Sequence, residues 1–355
     1  MLKQLVLLLA SLLLLSGCMS SQKVMKFEMP EQPGNNPVVW PDPPETARYV
    51  YIGELTGEQN FIDSDAESRK GFDKIFAAIV GLDFFQPERV VLKRPQSVVT
   101  DQMGRIYVTD VGRQAVFVFD GQTGTLDVWE WADKGINFYN PIGIVLGEKN
   151  EIIIADAQLK KIYVLDRNTG EPIRNFGHKL LERPTGLARD PLTGHLYVSD
   201  TQGQNIKIFS NEGELLDVIG KRGMEPGQFN FPTYLSFRNN KLYVSDTMNA
   251  RIQVLNPDGT VVKTIGKRGI YIGNFMRPKG VATDSDGNIY AIEAYYDHLL
   301  VFNEMGEFLL PIGGAGKYSG RFFLPAGIWI DEKNRVYIAD MLNGRVAVFQ
   351  YLGNS

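Results

Sequence analysis

A unit headed by proline recurs six times along this chain, and that repetition constrains the fold more than any other feature. The units read "PQSVVTDQMGRIYVTD" from Pro95, "PIGIVLGEKNEIIIAD" from Pro141, "PTGLARDPLTGHLYVSD" from Pro184, "PTYLSFRNNKLYVSD" from Pro232, "PKGVATDSDGNIYAIE" from Pro278 and "PAGIWIDEKNRVYIAD" from Pro325. They are spaced by 46, 43, 48, 46 and 47 residues. A fixed period of this length marks a repeat architecture. Inside each unit, short β runs alternate with turn formers. In the fourth, "YLSF", "LYVSD", "RIQVLN" and "VVKTIG" read as strands and "NPDGT" as a hairpin turn with its glycine at a positive-φ position. Four strands per unit of this size make the blade of a β-propeller, so an all-β, six-bladed propeller is expected.

These units resemble NHL repeats, which carry a proline, a small or apolar inner strand, an "xxDxxGxxYVxD" hairpin and an "RIQVF" strand. The stretches from Pro278 to Glu293 and from Pro232 to Leu255 carry the pattern best, and the likeness runs over residues 95–350. The second unit departs from it with Gly147 in place of aspartate, and the fifth with Glu293 where the others have aspartate. The sixth unit ends before its outer strand. Near the N-terminus, "ARYVYIGELTGEQNF" (residues 47–61) looks like the outer strand and exit loop of other units. An unpaired outer edge is an association liability. Residues 48–53 are therefore expected to supply the missing strand and latch the ring, leaving a monomeric propeller over residues 47–355.

Ahead of the propeller, "MLKQLVLLLASLLLLSG" has one cation, Lys3, an apolar core and two small residues, which is the pattern of a secretory signal over residues 1–17. The apolar run is shorter than the roughly 20 residues of a spanning helix. Leu15-Ser16-Gly17-Cys18 resembles the lipobox of bacterial lipoproteins, which implies that Cys18 is acylated and heads the mature chain. Cys18 is the only cysteine of the 355 residues, so no intramolecular disulfide can form. An ordinary secreted protein with an incidental thiol is the plainer alternative. Met19 is not the aspartate associated with inner-membrane retention, so an outer-membrane anchor in the cell envelope is expected. Residues 18–46 hold Pro30, Pro33, Pro37, Pro41, Pro43 and Pro44 and read as an extended tether, or as a tail that packs on the domain near Val38, Val39 and Trp40.

One insertion interrupts the pattern. "SDAESRKGFDKIFAAIVG" opens with a capping box, Ser64 and Glu67, and places Phe72, Ile75, Phe76, Ile79 and Val80 on one face of a helix over residues 64–81. That face either packs on the propeller or docks a partner.

A net charge of −4 argues against nucleic acid as the partner. The aspartates present in almost every unit (Asp101, Asp110, Asp190, Asp200, Asp246, Asp284, Asp331, Asp340) read as turn acceptors rather than metal ligands. Phe138, Phe229, Phe275 and Phe322, three residues before their prolines, read as interblade core. Where units differ, Arg94, Arg183 and Arg277 precede the prolines of blades 1, 3 and 5, and Lys279 follows Pro278. The other pre-proline sites hold Asn140, Phe231 and Leu324. These cations either ring one channel opening, which would favour an anionic ligand or acidic peptide, or are ordinary solvated loop residues.

Enzymes with related propellers imply other sites. An amidating lyase that resembles NHL proteins holds zinc on histidines, and lactonase-like propellers hold calcium on Asp, Asn and Glu at the channel. The three histidines here (His178, His195, His298) stand in unlike parts of their units, and no nucleophile and base pairing or phosphate loop stands out. No catalytic residue, metal or cofactor is expected. The expected role is non-catalytic binding of a protein, peptide or glycan at the loop face or channel mouth. The alternatives are a metal-dependent hydrolase or lyase at the channel, and a structural member of an envelope assembly.

Overall fold

The computed structural model describes residues 23–29, 37–63 and 89–353. Cys18 and the expected helix over 64–81, with Phe72, Ile75, Phe76 and Ile79, lie outside them. Six antiparallel sheets surround one axis: each inner strand packs on the next, and the sixth packs on the first. Inner strands begin at the six prolines, Pro95–Thr100, Pro141–Leu146, Pro184–Arg189, Pro232–Arg238, Pro278–Thr283 and Pro325–Ile330. The face on which they begin is called the top here. Among the described residues the only helical segments are 3₁₀ turns.

Burial follows strand position. Second and third strands such as Leu196–Asp200 and Arg251–Leu255 are buried nearly throughout, whereas the outer strand Leu215–Ile219 is exposed except at its last residue. The core therefore lies between blades. Phe138, Phe229, Phe275 and Phe322 are almost fully buried there, as expected. Gly266 ends the outer strand of blade 4 at φ +77, and a Cβ on it would meet the Phe275 ring at 2.2 Å. That close approach needs glycine.

The repeated carboxylates hold each blade together at the top. Asp110 accepts N–H bonds from Lys93 and Arg94 before Pro95, and from Gly112 and Arg113 in the next turn, at 2.6–3.0 Å. Asp156 does the equivalent in blade 2, Asp200 accepts from Glu182 and Arg183 in blade 3, and Asp246 and Asp340 each accept one such N–H, from Asn230 and Phe323. Glu293 replaces aspartate in blade 5 and binds the N–H groups of Met276, Arg277 and Tyr295. At the opposite face, Asp101, Asp284 and Asp331 accept from the hairpin N–H two residues on, and from the tyrosine hydroxyls of Tyr107, Tyr290 and Tyr337. In the fourth blade Asn239 and Asn240, both at positive φ, form the hairpin instead.

The outer strand of blade 6 comes from the N-terminal side, as expected, over Tyr49–Leu55 paired with Arg345–Tyr351. A buried clasp secures it. The Arg345 guanidinium lies 2.5 Å from Glu54 of the incoming strand and 2.9 Å from Asp340 of its own blade, and the Tyr51 hydroxyl donates to Glu54 at 2.8 Å.

The described structure begins earlier than residue 47, and near Val38, Val39 and Trp40 it is the packed tail of the two readings, not the extended tether, that is found. Val39–Trp40 adds a fifth strand to blade 6, with the Trp40 ring edge-on to Phe349 at 5.3 Å. Lys23–Met25 pairs with Phe61–Asp63, and Met25 and Phe27 pack against the core shared by blades 6 and 1. The prolines concealed two short segments whose apolar side chains have a surface to bury.

The axis is closed by one side chain. At the third position of the inner strands stand Gly143, Gly186, Gly280, Gly327 and Ser97, where little room exists: a Cβ on Gly186 would lie 2.3 Å from the Thr233 carbonyl. Blade 4 alone has Tyr234 there. It is 8% exposed, and its hydroxyl donates across the axis to the Gln96 carbonyl of blade 1 at 3.2 Å. Beneath it a partly open cavity of about 110 Å³ is lined by residues of all six inner strands, among them Val98, Ile144, Leu187 and Trp329.

Three outcomes are expected in urea unfolding. Arg345→Ala leaves Glu54 and Asp340 buried without their cation and lowers stability by about 3–5 kcal/mol. Tyr234→Phe loses about 1 kcal/mol with its hydrogen bond, and Tyr234→Ala about 3 kcal/mol with the cavity it leaves. Equal midpoints for Tyr234→Ala and wild type would show that the ring carries no packing.

Candidate functional site

The top face carries unneutralised positive charge around the axis. Arg94, Arg183 and Arg277 each stand directly before an inner strand, in alternate blades, with the backbone N–H held by Asp110, Asp200 and Glu293. Arg94 and Arg277 are exposed and Arg183 is half-buried. Lys279, half-buried, follows at the second position of the blade 5 inner strand. Its ammonium is pushed down to about 8, first by burial and then by the nearby Arg277 guanidinium. None of these four makes an ion pair among the described residues. The contrast with the rest of the molecule is sharp, because Arg105, Arg251, Arg335, Arg345 and Lys207 are each paired with a repeat carboxylate. Cations left without an ion-pair partner on one face create a positive potential that attracts anionic groups.

Beside these charges, blades 4 to 6 expose apolar side chains on the same face. Phe231 and Met248 of blade 4, Tyr295 of blade 5, and Phe323 and Leu342 of blade 6 are all more than a third exposed. The links between blades extend this crescent. Met224 is 74% exposed, Ile270 71%, Tyr271 77% and Tyr318 72%. Each link is nonetheless anchored: Phe229, Phe275 and Phe322 bridge back to Arg222, Arg268 and Ala315. Two apolar residues are also held in left-handed backbone, Phe231 at φ 52 and Leu324 at φ 53. Backbone strain of this kind on bulky residues costs about 1–3 kcal/mol and clusters at functional sites. Contiguous exposed apolar side chains rimmed by charge are a composition that interaction surfaces use.

Composition and spacing pointed to the cations but not to the crescent. Its signal was available as "GMEPG", "GIYIG" and "GKYSG" in loops where polar residues are usual, and as phenylalanine or leucine before proline where other blades have arginine or asparagine. Tyr234 was likewise visible as the one bulky residue in a column of glycine and serine.

The histidines occupy separate places, His178 in the link after blade 2, His195 before the second strand of blade 3, and His298 at the start of the third strand of blade 5. Among the described residues no cluster of three or more His, Cys, Asp or Glu side chains is arranged to hold a metal ion.

Residues 92–119 match the NHL repeat family model, and residues 282–353 match that of a 6-bladed beta-propeller family. Solved structures share the ring. A structural genomics protein of unknown function from Bacteroides thetaiotaomicron superposes with a TM-score of 0.58 at 16% identity, over 73% of this chain and 70% of that one. An auxiliary nutrient binding protein from Bacteroides ovatus gives 0.57 at 13% identity, over 73% and 69%. Virginiamycin B lyase from Staphylococcus aureus gives 0.54 at 12% identity, over 73% and 95%. At these identities the likeness is one of fold, shared alike by a binding protein and an enzyme. The closed ring makes the chain a six-bladed β-propeller, and one stretch of it, residues 92–119, matches the NHL repeat.

Proposed function

We propose that this chain is a lipid-anchored propeller of the bacterial cell envelope whose top face binds, without catalysis, an acidic segment of a partner protein. The observation that carries this reading is the juxtaposition of Arg94, Arg183, Arg277 and Lys279, none of them ion-paired among the described residues, with the exposed apolar crescent of blades 4 to 6. Exposed aromatic and methionine side chains supply apolar anchors, and the cations select the sign of the partner's charge. A closed propeller is a rigid platform, so docking loses little ordering entropy. The fold shared with an auxiliary nutrient binding protein is consistent with a binding role.

The anchor rests on the signal-like segment and on Cys18. Four residues lie between Cys18 and Lys23, where pairing with Asp63 begins, and the five residue steps reach at most about 18 Å. An acylated Cys18 would thus hold the propeller close to the bilayer. Several acyl chains on one residue make such attachment stable. Cys18→Ser is expected to move the protein from the membrane fraction to the soluble fraction of the cell that makes it. Unchanged fractionation would remove the anchor from this reading.

The binding face is tested by mild crosslinking and affinity purification of the full chain, comparing wild type with an Arg94/Arg183/Arg277→Ala variant and with Tyr271→Ser/Tyr318→Ser. A stoichiometric protein partner is expected with wild type and lost, roughly tenfold or more, in both variants. Because Lys279 contributes only while protonated, the complex is expected to weaken as pH rises through about 8. Lys279→Arg keeps its charge and should abolish that pH dependence. A partner retained by both variants would refute the top-face assignment. A stoichiometric metal in the same sample, without a partner, would favour a hydrolase or lyase at the channel.

A further inference from the structure

The link between blades 1 and 2 differs from the other described links. Where the links after blades 3, 4 and 5 have a single bridge, it carries a short hairpin, Trp131–Asp133 paired with Ile136–Asn137. Ala132 and Phe138, each 1% exposed, root it in the interblade core, with the Phe138 ring edge-on to Tyr163 at 6.0 Å. Its tip is tied to blade 2 by Asn175, which donates to Asp133 at 2.7 Å and accepts from Lys161 at 3.1 Å. The hairpin is thus a fixed element, and it presents Trp131 to solvent at 53% exposure.

Between this hairpin and the 169–172 turn of blade 2 lies a groove of about 430 Å³. Its two indoles have different roles. Trp129 is sandwiched, with Gly170 against one part of its ring system and Tyr107 at 5.9 Å, so it forms wall. Trp131 is the free platform. Around it stand the carboxylates of Glu130, Asp133 and Glu171 against one ammonium, Lys134. Glu130 and Glu171 are exposed and make no ion pair among the described residues.

We propose that this groove binds an organic cation, an alkylammonium or guanidinium group, seated on the Trp131 indole face and flanked by Glu130 and Glu171. The electron-rich indole face attracts cations more strongly than other aromatic faces do, and it does so best where the geometry is already set. The excess of carboxylate over ammonium in the lining adds attraction of the same sign and repels anions. A neutral sugar would also stack on an indole but would draw nothing from that charge excess. The groove volume falls within the range of small-ligand sites. The top face selects the opposite charge, so the two sites do not compete.

The test uses the full chain and titrates choline against its neutral isostere 3,3-dimethylbutan-1-ol, with cellopentaose as a sugar probe, following indole fluorescence and chemical-shift changes. Choline is expected to bind measurably and the alcohol about fivefold more weakly or not at all. Trp131→Ala should abolish binding, and Trp131→Phe should weaken it. Glu130→Gln/Glu171→Gln should weaken it several-fold at low salt, with the difference shrinking at high salt. Both positions are exposed, so thermal melts should match wild type and confirm folding. Absence of choline binding, equal binding of the alcohol, preference for cellopentaose, or full retention in Trp131→Ala would each overturn the proposal.

Discussion

The carboxylate that ends each second strand organises the whole molecule. Proline has no N–H and forces the residue before it away from helical backbone, so the chain enters every inner strand through a segment whose N–H groups find no sheet partner. Left unpaired in the interblade region they would cost free energy comparable to lost hydrogen bonds. Asp110, Asp156, Asp200, Asp246, Glu293 and Asp340, all buried, accept those N–H groups, and several also hold the following turn. In blades 1, 2, 3 and 5 the same bond sets the place of the pre-proline residue, Arg94, Asn140, Arg183 and Arg277, whereas Leu324 of blade 6 donates to Asp297. The cations of the top face are therefore positioned by the bonds that keep the blades intact.

Ring closure adds a second constraint. Arg345 joins a strand from the beginning of the chain to one from its end, through Glu54 and Asp340. Around this clasp, segments ahead of the expected domain boundary find apolar surface. Trp40 covers Phe349, and Met25 and Phe27 cover the seam between the last and first blades. The outer edge of blade 6 is thereby covered by Val39–Trp40, which leaves less free edge for association than a four-stranded blade would.

Much of this was legible residue by residue. The prolines located the inner strands, the "YVSD" segments the second strands, and residues 48–53 all but the end of the latch. Glu293 could be recognised as an equivalent of aspartate because only a carboxylate in that place is needed. Less was legible where the signal was short or negative. Three residues around Val24 carry no strand period that a proline-rich context does not obscure, and their partner lies at residues 61–63. The link apolar residues were hidden by the opposite fault, since hydrophobic side chains in loops do not announce whether they are buried or bare.

The sequence by itself determined the class of fold, the number of blades, the closing strand and the residue types at each repeated position, because a period of about 46 residues and a two-residue strand alternation are local properties that survive without coordinates. Only the tertiary structure decided which side chains meet. That Tyr234 spans the axis to Gln96, and that Trp131 faces open space while Trp129 is covered by Tyr107 and Gly170, depend on distances between segments far apart in the chain. Closing the ring sets those distances, and no pairwise reading of neighbouring residues contains them.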